Sequence, residues 1–358
     1  MEAVIKVGNR CRLPAKRLVL RWRANAILLL AGLLGLNPIM GCGADVDPRP
    51  PRVRATGVAG AETFACASLG DDGIACWGPD IATVRDGRSY VAIAAARTTV
   101  CGLTDNRQVV CRTVKRAQRG VTAFGIPVVL PEMKDVTDIA MDHFGLCVVA
   151  AGHQICQPFP LGTKSRQLGP RTAVRVTGPS GGCALLKDGT VFCSPRDDEP
   201  REIVLLGGAV DVAADNRGGC AVLGDGRVQC WDSPVAVPGV GPTGGRNPTL
   251  VEGLSPASAV AMGSAFCTIT TSLNVECTGG DSYGMLGDGT YRENGRERVG
   301  VNVKNVDSVA ALGGGAGGYF CAVSRRLGVM CWGLNMHGAL GVADPFDSGP
   351  RSIPIAAP

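Results

Sequence analysis

Histidine is almost missing from this chain, at 3 of 358 residues, and the aromatic share is only 4%. None of the 16 cysteines stands in a CxxC arrangement. Zinc sites usually combine cysteine and histidine at such spacings, so a zinc-dense protein is excluded. Long apolar stretches are scarce as well, and the run from Ala26 to Leu36 is too short to be a comfortable bilayer span. In their place stand 51 glycines and 23 prolines, which suit many tight turns and few long helices. The length accommodates one large domain or two ordinary ones.

A formal charge of +5 invites a nucleic-acid reading. The charge, however, is concentrated in the first 41 residues, where Lys6, Arg10, Arg12, Lys16, Arg17, Arg21 and Arg23 face a single acid, Glu2. A basic segment ahead of a short apolar one is the layout of a secretory signal peptide. It ends at Ile39-Met40-Gly41-Cys42, which resembles a bacterial lipobox. The expected domains are a signal peptide over 1–41, a flexible proline-rich tether over 42–56, and a folded body over 57–358. Lipidation of Cys42 would hold the chain on a membrane surface without a spanning helix. The alternatives are an uncleaved anchor helix or ordinary cleavage nearby. Without residues 1–41, Lys+Arg falls from 36 to 29 and Asp+Glu from 31 to 30, leaving −1. No stripe of cations remains to displace counterions from a phosphate backbone, so no nucleic-acid partner is expected.

With Cys11 in the leader and Cys42 at the anchor, the other cysteines fall into pairs: Cys66/Cys76, Cys101/Cys111, Cys147/Cys156, Cys183/Cys193, Cys220/Cys230, Cys267/Cys277 and Cys321/Cys331. They recur about every 42 residues, the signature of a repeat architecture. In the copy Cys183-Ala-Leu-Leu-Lys-Asp-Gly-Thr-Val-Phe-Cys193, a three-residue loop Lys187-Asp188-Gly189 would close a hairpin that sets the two cysteines opposite each other. They then occupy a non-hydrogen-bonded pair, close enough for a cross-strand disulfide. The pair Cys147/Cys156 is one residue shorter, and a two-residue loop Ala151-Gly152 restores the same register. In the copy from Cys66 to Cys76 the corner residues Asp72 and Gly73 are shifted by one, which leaves its turn type open. Seven short-loop disulfides are expected, and these need an oxidising compartment.

Before each hairpin lies a β-branched element, as in Val136-Thr-Asp-Ile139-Ala140, Val174-Arg-Val176 and Val210-Asp-Val212-Ala213. Each repeat thus reads as a small antiparallel sheet, and seven such sheets bury their faces when placed radially. The unit resembles the repeat of the regulator of chromosome condensation family. The likeness is clearest from Cys321-Ala-Val to Cys331-Trp332-Gly333 and through Asn335, Gly338, Leu340 and Gly341. It is also seen at Cys66 to Trp77-Gly78, at Cys183 to Cys193, at Cys220 to Trp231, and at Gly284-Met-Leu286-Gly287-Asp-Gly289. It covers about residues 57–358 and implies an all-β fold, a seven-bladed β-propeller. Family propellers commonly close the ring with a strand from the far chain end, so Ser352 to Ala356 is expected to complete the first blade, with Pro354 at an outer edge.

Chemical motifs are sparse. Gly178-Pro-Ser180-Gly-Gly182 matches a nucleophile elbow but lacks its strand-to-helix context. Gly313 to Gly318 matches a dinucleotide fingerprint but leads into a strand and reads as a flexible loop. His143, His153 and His337 share no ligand motif, and the Asp-Gly corners lack the alternating oxygens of a calcium loop, so no metal and no cofactor are expected. Trp77, Trp231 and Trp332 recur at one repeat position, as packing residues do. The longest connections follow Cys230 and Cys277, and the second holds a candidate partner loop of Tyr291, Arg292, Glu293, Arg296 and Arg298. The expectation is a non-enzymatic, monomeric, lipid-anchored propeller of the cell envelope, at the outer membrane or surface rather than the inner membrane, binding a protein or glycan. The resemblance itself implies a guanine-nucleotide exchange factor-like regulator as an alternative. A hydrolase or lyase working in the central funnel is a third, and it predicts carboxylates or histidines converging from several blades.

Overall fold

The computed structural model describes residues 55–78, 81–117, 120–168, 172–194, 201–215, 217–232, 248–292, 295–315, 317–335, 338–341 and 349–353. These form seven antiparallel sheets. Six have four strands, and the second has a fifth, Val128–Val129, which shares the strand Val109–Ala117 with Gly120–Phe124. Helix among the described residues is limited to one 3-10 turn, Gly70–Asp72. Within every sheet the strands lie in chain order, and each blade is therefore one contiguous stretch of sequence. The innermost strands stand side by side around the axis, and the first of them, Gly57–Gly60, lies beside the last, Val309–Gly315, which closes the ring.

Each cysteine pair faces across its hairpin in the anticipated register, Cys183 opposite Cys193 and Cys147 opposite Cys156. The disulfides are Cys66–Cys76, Cys101–Cys111, Cys147–Cys156, Cys183–Cys193, Cys220–Cys230, Cys267–Cys277 and Cys321–Cys331, with Cα atoms 3.9–4.1 Å apart. The loop over 187–189 closes through the Leu186 amide on the Thr190 carbonyl at 2.8 Å. In the shorter copy Ala151 and Gly152 both take positive φ, as a two-residue hairpin turn requires.

The hairpin from Cys66 to Cys76 departs from this pattern at its corner. The turn there is the 3-10 turn Gly70–Asp72, closed by the Leu69 amide on the Gly73 carbonyl at 2.9 Å. Gly70 and Gly73 both take positive φ, in place of one left-handed glycine in a simple three-residue loop. Ser68 still faces Ile74, so Cys76 remains opposite Cys66 despite the different turn.

The C-terminal strand corrects the expected closure. Arg351–Ser352 pairs with Gly328–Gly333 and completes the seventh blade, not the first. The first blade has no vacancy, because Ile81–Val84 follows Trp77 and supplies its outer strand, with Ala82 opposite Cys76. Side chains close the ring instead. Tyr319 of blade seven donates its hydroxyl to the Ala61 carbonyl of blade one at 2.9 Å, and Trp77 Nε1 reaches the Ala339 carbonyl at 2.9 Å. Ile353 is buried in the same seam; Pro354 lies outside the described residues. The expected tether also ends early, since Ala55 packs on this seam and Thr56 donates its amide to the Ser68 carbonyl.

Among the described residues the apolar core is divided among the gaps between blades. Seven buried clusters each draw on two adjacent blades, and each includes a disulfide. Trp77, Trp231 and Trp332 are all buried in these gaps. Leu286 and Leu340, from the Gly-x-Leu-Gly segments, each pack into the gap that holds the next blade's tryptophan. Gly313 to Gly315 are not a loop: they end the innermost strand of blade seven. A Cβ at Gly314 would lie 2.1 Å from the Met262 carbonyl oxygen, and one at Gly60 would lie 2.7 Å from Gly315 Cα, so crowding at the axis demands glycine there.

Candidate functional site

In a four-stranded meander the first and third connections emerge at one end, while the hairpin corner and the passage to the next blade emerge at the other. The short Asp-Gly corners therefore share one end of the propeller. The connections from third to fourth strand leave from the opposite end, as do the loops that follow each innermost strand, and it is these last loops that surround a funnel mouth of about 250 Å3. All seven blades contribute to its rim, which carries Glu62, Arg97, Asp142, His143, Asp215 and Arg217. Asp142 and Asp215 end equivalent strands of blades three and five.

Most of these charges are committed. Asp142 accepts the Phe144 amide at 2.8 Å and the Ser180 amide at 2.6 Å, tying blade three to blade four. Asp215 holds the backbone amide and guanidinium of Arg217. Arg97 lies over the Phe159 ring, 5.7 Å from its centroid, and the His143 ring meets Phe144 at a tilt of 40°, with centroids 4.0 Å apart. Ser180 is buried, its amide serving as a strut between blades. No cysteine reaches the mouth among the described residues. Cys66 and Cys76 are fully enclosed between blades one and two, among Phe64, Ile74 and Val100, and there their bond is a structural crosslink. No group of three His, Cys, Asp or Glu able to hold a metal ion occurs among the described residues.

Further down the wall runs a second arrangement that the sequence reading passed over. Six of the seven innermost strands carry a bulge at one equivalent place. Directly after it stand Asp138, Arg175 and Asp211 in blades three, four and five. Asp138 accepts the Val176 amide at 2.9 Å. Arg175 donates to Asp211 Oδ1 at 2.5 Å, while Asp211 Oδ2 accepts the Val260 amide at 2.9 Å. The belt thus stitches four consecutive blades. Loss of hydration pushes the Asp138 carboxyl up to about 6, against the opposing pull of the Val176 amide and Arg175. Desolvation raises Asp211 too. The signal was present in Thr137-Asp138-Ile139, Val174-Arg175-Val176 and Val210-Asp211-Val212, where a charge interrupts each β-branched element at the same offset.

The candidate partner loop lies on the long-loop face. Tyr291 is exposed and meets Tyr283 edge-on at 5.8 Å. Arg292 and Arg298 both pair with the buried carboxylate of Asp281, Arg298 also reaching Asp288 at 2.6 Å. Those two cations brace the loop through Asp281, and Tyr291, Arg292, Arg296 and Glu297 are exposed among its described residues. Glu293, Cys42 and His337 lie outside the described residues. His153 sits at its hairpin corner, its Nδ1 2.7 Å from the Gln167 amide nitrogen.

No protein-family model matches the chain, and no curated protein matches it. Solved structures do. Prp20p from Saccharomyces cerevisiae is similar at a TM-score of 0.55 and 15% identity, over 72% of this chain and 80% of that one. A chain of the mitotic checkpoint complex is similar at 0.50 and 11%, over 84% and 98%. Yeast RCC1 (Prp20) bound to Kap60 is matched at 0.46 and 15%, over 83% and 73%. At these identities the likeness is one of fold, and the chain is an all-β, seven-bladed β-propeller with Prp20p among its structural neighbours. The Prp20p structure was described with that protein's binding to Gsp1p and histones.

Proposed function

We propose that this chain is a non-enzymatic, lipid-anchored, extracytoplasmic propeller whose long-loop face binds a protein partner, with a glycan as the lesser reading. The observation that carries it is the gathering, at one end of a rigid ring, of loops from all seven blades, with the exposed Tyr291 and Arg296 in the third connection of blade six emerging at the same end. Long loops on a fixed scaffold are where recognition residues concentrate. Seven disulfides support export, since they persist only where thiols are not kept reduced. Prp20p, a structural neighbour, binds protein partners. An exchange-factor activity has only the likeness of fold behind it.

One observation favours a second reading. Glu62, Asp142, His143 and Asp215 do converge at the funnel mouth, as a hydrolase or lyase would need. Against it, Asp142 and Asp215 are spent on backbone amides and Arg217, and no nucleophile is paired with His143 among the described residues.

Crosslinking and pull-down from the native cell envelope tests the binding reading, comparing the parent chain with a Tyr291→Ala, Arg296→Glu variant and with Cys42→Ser. The expected result is loss of a specific partner in the first variant and release from membranes in the second. An unchanged partner set removes this face, and unchanged membrane retention removes the anchor.

A further inference from the structure

A hollow of about 680 Å3 opens between blades three and four, beside the funnel mouth, with Ser180 lining both. It falls within the size range of small-molecule sites, which are concave, mostly apolar and furnished with a few polar groups. Its apolar wall is made by Phe144, Pro158, Leu168 and Pro179. Phe144 leaves 46% of its surface open, a large apolar side chain held partly bare. Ser180 and Ser194, both buried, also line the hollow. Lys164 and Arg166, both exposed, bring positive charge to the rim, and no carboxylate is among its described lining residues. Asp142 faces the funnel instead, on the other side of Ser180.

The hollow is also preformed. Its two lips are the segments at Phe144 and Ser180, and one carboxylate, that of Asp142, accepts the amide of each. Cys156, part of its floor, is fixed by its disulfide to Cys147. A site that needs no closing loses little affinity to ordering its walls.

We propose that this hollow binds a small amphipathic anion: an aromatic or aliphatic body that fills the apolar wall, bearing a carboxylate, sulfonate or phosphate held at the Lys164 rim. The assignment uses none of residues 281–298, so its test does not depend on the Tyr291 and Arg296 substitutions.

The probe is 8-anilinonaphthalene-1-sulfonate, titrated by fluorescence into the full chain with its disulfides formed. Its neutral counterpart N-phenyl-1-naphthylamine and the cationic dye acridine orange serve as comparisons. The expected result is saturable binding of the sulfonate, about tenfold tighter than the neutral dye, the usual worth of one charge-assisted contact. Lys164→Glu should weaken it by about the same factor, and Phe144→Ala should weaken both naphthyl dyes by several-fold. Both substitutions are at exposed positions, so the fold is retained, which near-ultraviolet circular dichroism checks. Absence of saturable binding, equal affinity for the neutral dye, preference for the cationic dye, or indifference to both substitutions overturns the site.

Discussion

Asp138 shows how a single position on the channel wall sets a pH response. It keeps part of its surface accessible, yet the surrounding strands strip enough water to hold its carboxyl near 6, with Arg175 pulling the other way and Asp211 adding to the rise. An unfolded aspartate titrates near about 3.9. The folded value is raised, so folding is unpenalised by this group below pH of about 4, loses stability as pH climbs toward about 6, and bears the full cost above. Asp138→Asn retains an oxygen for the Val176 amide and removes the charge. Urea midpoints should show the variant gaining about 1–3 kcal/mol on its parent at pH 7.5, with the gain vanishing near pH 4. A difference that stays constant across that range would count against the assignment. Such residues were poorly legible beforehand, because their chemistry depends on three blades meeting at the axis. Each charge looked like an interruption of a strand until its neighbours were placed.

The hairpins were legible almost completely. Their cysteine spacing, corner glycines and the compensating deletion at Cys147 fixed register without tertiary information. Turn details were less open to reading. Positive φ falls on Arg107 and Leu273 at two corners that lack the usual glycine, and the hairpin ending at Cys76 turns through a 3-10 segment. Outer strands could not be placed from the sequence because they are short, as in Val128–Val129, Thr249–Leu250 and Arg351–Ser352, and show no alternation over so few residues. That gap produced the mistaken expectation about the C-terminal segment. At this scale the disulfides make the sharpest forecast. Each closes a loop of about ten residues, and the chain-entropy relation puts its worth at about 2–3 kcal/mol. The pair Cys183→Ala, Cys193→Ala should lower stability by that amount in denaturant melts under oxidising conditions. A loss below about 0.5 kcal/mol would show that the hairpin is already ordered in the unfolded chain.

The ring as a whole is closed by packing rather than by interlaced strands. Its last seam depends on the Tyr319 hydroxyl, the Trp77 indole and the apolar cluster that includes Ile353. Burial pushes the Tyr319 hydroxyl pKa well above its ordinary value, so it stays a donor at any physiological pH. Tyr319→Phe leaves the Ala61 and Phe64 carbonyls, both of which the hydroxyl reaches, with one partner fewer and should cost about 1–2 kcal/mol. Hydrogen exchange would locate the effect. Amides of Gly57–Gly60 and Val309–Gly315 should open faster, while those of Ala209–Asp215, across the ring, should keep their parent rates. Uniform acceleration across all blades would mean that the seam is no weaker than the rest.

That every blade is one unbroken stretch of chain, each with its own local crosslink, also bears on how the protein is made. A polypeptide that leaves a pore end first can finish, oxidise and lock its blades one after another, without holding an unfinished sheet open for a partner strand still to come. Native pairing is then the pairing of nearest cysteines, so an oxidant acting on the emerging chain makes the right bonds in the order in which thiols appear. Only the final seam must wait, and it is assembled once, when the last residues arrive to meet the first.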